Sequence, residues 1–215
     1  LTKAIAKVKP VDQLGILNDA VALGYAGRQP MADMLDVVKG LPADSSSQVM
    51  ERAAKVIAAL GGYAAGDEKR QAALSRFGNA RLLPVLKRLG WTPRADEPVT
   101  DGDLRAALIE TLGGLGEPTV VAEARRRFAA SKTDAAAIDP SLRVAILTVV
   151  AKNADAQTWE TLHAMAREES SAQVKTTLYS LLGMARDPAL ADKALALALT
   201  CLLYTSDAAD DLLCV

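Results

Sequence analysis

The stretch from Asp103 to Phe128, DLRAALIETLGGLGEPTVVAEARRRF, constrains the fold of this chain more than any other. Leu104, Ala107, Leu108, Leu112 and Leu115 recur at intervals of three and four, which places them on one face of a helix beginning near Asp103. Asp103 is positioned to cap the free amides of the first turn, and Gly113, Gly114 and Gly116 to end the helix. Pro118 opens the next helix where its missing N–H costs nothing. Val121, Ala124 and Phe128 form a second stripe, so the short connection folds two antiparallel helices against each other. A hairpin of this size buries its inner faces and leaves its flanks apolar, and such hairpins gain stability by stacking into arrays.

The rest of the chain repeats that plan. Pro10 and Asp12 open a helix carrying Leu14, Leu17, Val21 and Tyr25, closed by Gly27. A short helix spans Met31 to Lys39. Ser46 or Ser47 caps a third, with Val49, Ala53, Val56 and Leu60 facing inward and Gly61-Gly62 as its stop. Between Asp67 and Leu89 the helical spacing continues through Pro84, whose ring removes one backbone bond and predicts two pieces meeting near Arg81. WTPRADEPVT, from Trp91, is a non-helical connector. Further hairpins start near Pro140 and Ser171, a repeat of roughly thirty to forty residues, as helical solenoids have. The predicted fold class is therefore all-α, a HEAT-like superhelical stack of antiparallel helix pairs.

Composition supports this. Half the residues are apolar, only 4% are aromatic, and strand-like alternation is almost absent. A formal charge of −1 supplies no field to gather nucleic acid, and no apolar run is long enough for a bilayer span. The chain reads as soluble, with cytoplasm and periplasm both open. Both cysteines, Cys201 and Cys214, lie in a tail, CLLYTSDAADDLLCV, where the helical stripe of Leu190, Ala194 and Leu197 stops. That tail resembles translated sequencing adapter, which divides the chain into a helical domain at 1–200 and a non-native extension at 201–215. Without Asp207, Asp210 and Asp211 the formal charge becomes slightly positive, and no cysteine remains from which to read a redox compartment.

In order, LGILNDAVALGYAG, GWTPRADEP, LRAALIETLGGLGEPTVVAEARRRF and IDPSLRVAILTVVAKNADAQTWETLHAMAREESSAQVKTTLYSLLGMARDP resemble the C-terminal helical domain of the aminopeptidase N type zinc peptidases. That group includes the puromycin-sensitive and endoplasmic-reticulum aminopeptidases. The resemblance implies a parent enzyme that removes N-terminal residues from peptides using one zinc ion held in a separate upstream domain. It also implies that this region closes over the active site and shapes a chamber for peptide substrates. The upstream H-E-x-x-H helix and the Gly-x-Met-x-Asn strand of that group are not in this chain, which has a single histidine. No cofactor and no catalytic or metal-binding residue is expected within it. The chain, opening on Leu1 and ending in the adapter-like tail, reads as a fragment inactive by itself. A free-standing helical-repeat scaffold for a partner protein is the alternative.

Few residues could carry chemistry. His163 sits one position off its helix's apolar stripe with no second ligand beside it, and reads as a flank histidine. Asn18-Asp19 reads as a pair that hydrogen-bonds a neighbouring turn. Arg125, Arg126 and Arg127 form the one basic run, which as a solvated last turn complements the helix dipole. By the resemblance, Arg105, Arg125, Arg126 and Arg143 are candidates to contact a peptide substrate.

Overall fold

The computed structural model describes residues 4–199, and the tail beginning at Cys201 lies outside them. Among these residues there are ten α-helices and no strand, so the all-α expectation holds. In chain order they are α1 (Pro10–Tyr25), α2 (Met31–Gly40), α3 (Ser47–Tyr63), α4 (Glu68–Leu89), α5 (Val99–Gly114) and α6 (Pro118–Ala130). After two short 3-10 turns come α7 (Arg143–Lys152), α8 (Ala156–Glu168), α9 (Ala172–Leu182) and α10 (Pro188–Ala198).

The stack is built on one row. Helices α3, α5, α7 and α9 pack in succession, while α4, α6 and α8 each lie beside the row and pack more closely on the helix that follows than on the one before. The row helices run parallel. Ser47 at the start of α3 donates to Asp101 in the first turn of α5, and farther along in the same direction the Thr111 hydroxyl, in the last turns of α5, donates to the Ala54 carbonyl midway along α3. At the end of α7, Asn153 donates through its amide to the Gly113 carbonyl of α5 at 3.1 Å. Helices in the middle of such a row are covered on two sides, and α7 accordingly buries every residue from Ala145 to Ala151. Likewise α5 buries Arg105, Ile109, Thr111 and Gly113 in addition to the predicted Leu104, Leu108 and Leu112.

Several expectations shift on contact with the structure. Helix α5 begins at Val99, not Asp103, because Pro98 sets the entry and the Asp101 amide bonds its carbonyl; Asp103 lies exposed inside the helix. The turn after α5 follows the forecast, with Gly116 at φ 77° and Pro118 at the first position of α6. The cap there is Glu117, whose carboxylate accepts from the Val120 amide at 2.8 Å. Helix α3 passes through Gly61 and Gly62 to Tyr63, since glycine permits a helix to end and does not compel it. Helix α4 is unbroken at Pro84. Both Pro84 and Ala80, whose carbonyl loses its partner, are exposed, so water can satisfy the orphan group while buried Leu82, Val85 and Leu86 hold the axis. In α1 the buried face is Gln13, Leu17, Ala20 and Gly24, rotated from the leucine stripe, and Tyr25 is exposed. The rotation comes from α2, since a Cβ on Gly24 would fall 3.2 Å from the sulfurs of Met31 and Met34.

The tightest approach in the row is between α5 and α7, where a Cβ added to Gly113 would lie 2.3 Å from a Val149 methyl. Gly113→Ala is therefore expected to destabilise the chain by about 1–3 kcal/mol through overpacking. Gly114→Ala, whose new atom would meet nothing nearer than 3.6 Å, should be neutral or stabilising by up to about 1 kcal/mol. Urea unfolding of the two variants checks this, and equal midpoints would contradict the packing.

Candidate functional site

Parallel row helices bring the carboxyl ends of α3, α5 and α7 to one side, and a groove of about 820 Å³ opens there against the first turns of α4. Small residues leave the space. Ala58, Gly61, Gly62, Ala64 and Ala65 form the α3 wall, and Ala72 and Ser75 form the α4 wall. Leu74, Thr111 and Leu115 lie deeper, and four charged residues reach the groove: Glu68, Glu110, Lys152 and Arg186.

Helix carboxyl ends carry partial negative charge and carbonyls without intrahelical partners. Here several of the carbonyls at these ends accept from side chains, in part beside a backbone bond. Arg186, between α9 and α10, donates to the Gly114 carbonyl of α5 and to the Asn153 side-chain oxygen at 3.0 Å, and its own amide bonds the Lys152 carbonyl at 3.3 Å. Burial pushes its guanidinium below the usual arginine range. Asn153 spends its amide on the Gly113 and Val149 carbonyls, and its backbone carbonyl accepts from Arg125. On the α4 side, the Ser75 hydroxyl donates to the Leu115 carbonyl at 2.9 Å. Neither Arg186 nor Asn153 is marked by sequence periodicity, because each sits just past a helix end where spacing carries no signal.

The four arginines proposed from sequence do not converge, and none of them lines this groove. Arg105 is an internal pin with 0% exposure. It binds both Glu97 carboxylate oxygens at 2.6 Å, and its Nε donates to the Gly90 carbonyl at 2.9 Å. That leaves it no face for a peptide and makes it the anchor of the connector between α4 and α5. Arg126 is exposed and paired through two hydrogen bonds with Glu123 on its own helix. Arg125 borders a separate hollow of about 200 Å³ with Phe128, Lys132 and Thr158. Arg143 is exposed at the start of α7. Arg127 pairs with Glu123 and stacks 5.3 Å from the centroid of Trp91, tying α6 to the connector.

The His163 ring lies 5.3 Å from that of Trp159 and 6.0 Å from that of Tyr179, with Glu160 at 3.8 Å from its Nδ1. Among the described residues no three His, Cys, Asp or Glu side chains come together, so the donors present do not fit a zinc site. Asn18 accepts from Arg52 at 2.7 Å, joining α1 to α3 and not fixing a turn. No helix among the described residues is long and apolar enough to cross a membrane.

Hydrogen bonds from Arg105 hold the Glu97 carboxyl at about 2, against the opposing effect of burial. Those from Arg126 do the same for Glu123. Since both lie below the ordinary 4.5, the stability they contribute is complete above that value and is lost as pH falls through about 2. Thermal melts at decreasing pH should therefore show the midpoint falling through this window. Glu97→Gln should start lower, with Arg105 buried and unpaired, and fall less steeply, Glu123 supplying the remaining slope. An unchanged slope would remove Glu97 from the account.

The description of the ERAP1-like C-terminal domain matches residues 1–209 of the chain. Aminopeptidase 2 of Candida albicans is 29% identical over 192 residues, covering 87% of this chain and 20% of that protein. Aminopeptidase M1-A of Oryza sativa subsp. japonica is 26% identical over 189 residues, covering 85% and 21%. Aminopeptidase M1 of Arabidopsis thaliana is 26% identical over 188 residues, covering 84% and 21%. The chain thus spans about a fifth of the length of each of these relatives.

Proposed function

Because this chain belongs to the family of ERAP1-like C-terminal domains, we propose that it is the helical, non-catalytic part of a zinc aminopeptidase that shortens peptides from their N-termini. In this reading its partners are an upstream catalytic domain, which holds the zinc, and the peptide itself. The zinc there supplies a polarised carbonyl and an activated water. The residues of this chain supply walls, bounding a chamber that admits an extended peptide and turns away folded proteins.

The observation that carries the reading is the family match, which runs over nearly the entire sequence, joined by relatives that are all aminopeptidases. The geometry is compatible with it: a row of parallel helices opens a groove at one end. Arg125 and Arg143 stay as surface candidates for peptide contact, Arg126 only if it exchanges Glu123 for a peptide carboxylate. Arg105 is withdrawn from that role, since its guanidinium is already fully engaged inside the stack.

The chain incubated with an amino-acid p-nitroanilide and added zinc should release p-nitroaniline no faster than buffer. Turnover above that background would overturn the assignment of catalysis to an upstream domain. Reading the coding sequence that precedes Leu1 supplies the complementary check, with an H-E-x-x-H motif expected there.

A further inference from the structure

Helix α4 carries Lys69, Arg70, Arg76, Arg81, Lys87 and Arg88 against the single carboxylate of Glu68, in a chain whose formal charge is −1. All of these cations except the half-buried Arg81 are exposed. Basic residues on a solvated helix ordinarily find a carboxylate three or four positions away, as Lys55 finds Glu51 and as Arg126 and Arg127 find Glu123. On α4 only Arg70 does so, with the capping Asp67 at 3.2 Å. Lys69, Arg76 and Lys87 make no hydrogen bond or ion pair among the described residues. Arg81 and Arg88 donate to the backbone carbonyls of Leu41 and Ala43, neutral acceptors that leave their charge unmatched.

These charges are laid out in a pattern. Ala73, Phe77, Ala80 and Pro84 follow one another at intervals of four, three and four, the spacing of a coiled-coil seam. The three small residues are exposed and Phe77 is half-buried, so the strip lies open along the outer side of α4. Lys69, Arg76 and Lys87 recur after two and three turns along one flank of it, and Arg70, Arg81 and Arg88 after three and two turns along the other. Each flank runs for about 27 Å. Flanking positions of this kind face the charges of a paired helix and set which partner is accepted.

We propose that this face of α4 seats an acidic helix of a partner protein, laid lengthwise with its own small or apolar seam on Ala73, Phe77, Ala80 and Pro84 and its carboxylates against the two cationic flanks. Small seam residues let two helix axes approach to about 8 Å, within reach of lysine and arginine side chains on both sides. Other polyanions match this face less well. No large apolar or aromatic side chain of α4 is exposed to enter a bilayer or stack on a base.

The test is fluorescence anisotropy of the full chain with a labelled three-heptad peptide bearing alanine and leucine in its seam and glutamate on both flanks, beside versions with glutamine or lysine there. The glutamate peptide should bind tightest and weaken as salt is raised. Lys69→Gln, Arg76→Gln and Lys87→Gln together should weaken it about tenfold or more. The same loss of charge at the exposed Arg28, Lys39 and Arg167 should weaken it much less, and melting midpoints confirm that both triple variants are folded. Equal binding of the three peptides, no binding, equal loss in the two triple variants, or tighter binding of a DNA duplex or of phosphatidylserine vesicles than of the glutamate peptide would overturn the proposal.

Discussion

The arrangement depends on two helices touching where one of them has no side chain. Gly113 lets α5 meet Val149 of α7 at a distance that no Cβ would tolerate, and this contact sets the separation of the central pair. Once they are that close and parallel, their carboxyl ends fall side by side, and the same few polar groups can serve both. Asn153 and Arg186 do so, donating to the carbonyls of Gly113, Gly114 and Val149. A glycine chosen for closeness thereby creates the need for the side chains that close the end of the stack. The groove exists because the neighbouring end of α3 is lined with alanine and glycine and does not fill the remaining space.

A second constraint acts at the opposite end of α5. The connector from Gly90 to Pro98 has little apolar content with which to hold itself down, and Arg105 compensates from inside the stack. Its guanidinium grips the Gly90 carbonyl and the Glu97 carboxylate together, so both ends of the connector converge on one buried group. Buried ion pairs of this kind gain little net stability and lose much when one partner is removed, and so they fix which arrangement forms more than how stable it is.

Much of this was legible in the sequence wherever the signal is local. Leucine spacing located α5, α7 and α9, and Gly116 with Pro118 marked the hairpin turn, because turn chemistry is set by the residues in the turn. What was misread depended on partners far away in the chain. The face of α1 was assigned by hydropathy, yet Gln13 and Gly24 are inside because Ile5 offers a carbonyl and α2 comes close. Arg105 looked like a surface cation at a helix start until Glu97 and the row packing enclosed it. Arg186 and Lys152, which reach the groove, sit at or just beyond helix ends, and Glu110 and Glu68 look like any solvated carboxylate until three helices are placed around them. A breaker inside α4 was weighed by its lost bond alone, whereas its outcome turned on which way Pro84 points.

The two tryptophans divide the molecule into optically separate halves. Trp159 is buried, with its indole N–H given to the Leu182 carbonyl at 3.2 Å and the Lys193 ammonium 4.8 Å from its ring centroid. Trp91 lies half-buried in the connector beneath the Arg127 guanidinium. The emission of the first reports on the α8 to α10 end and that of the second on the junction at α5 and α6. The chain therefore carries its own pair of intrinsic probes for whether its ends let go together or in turn.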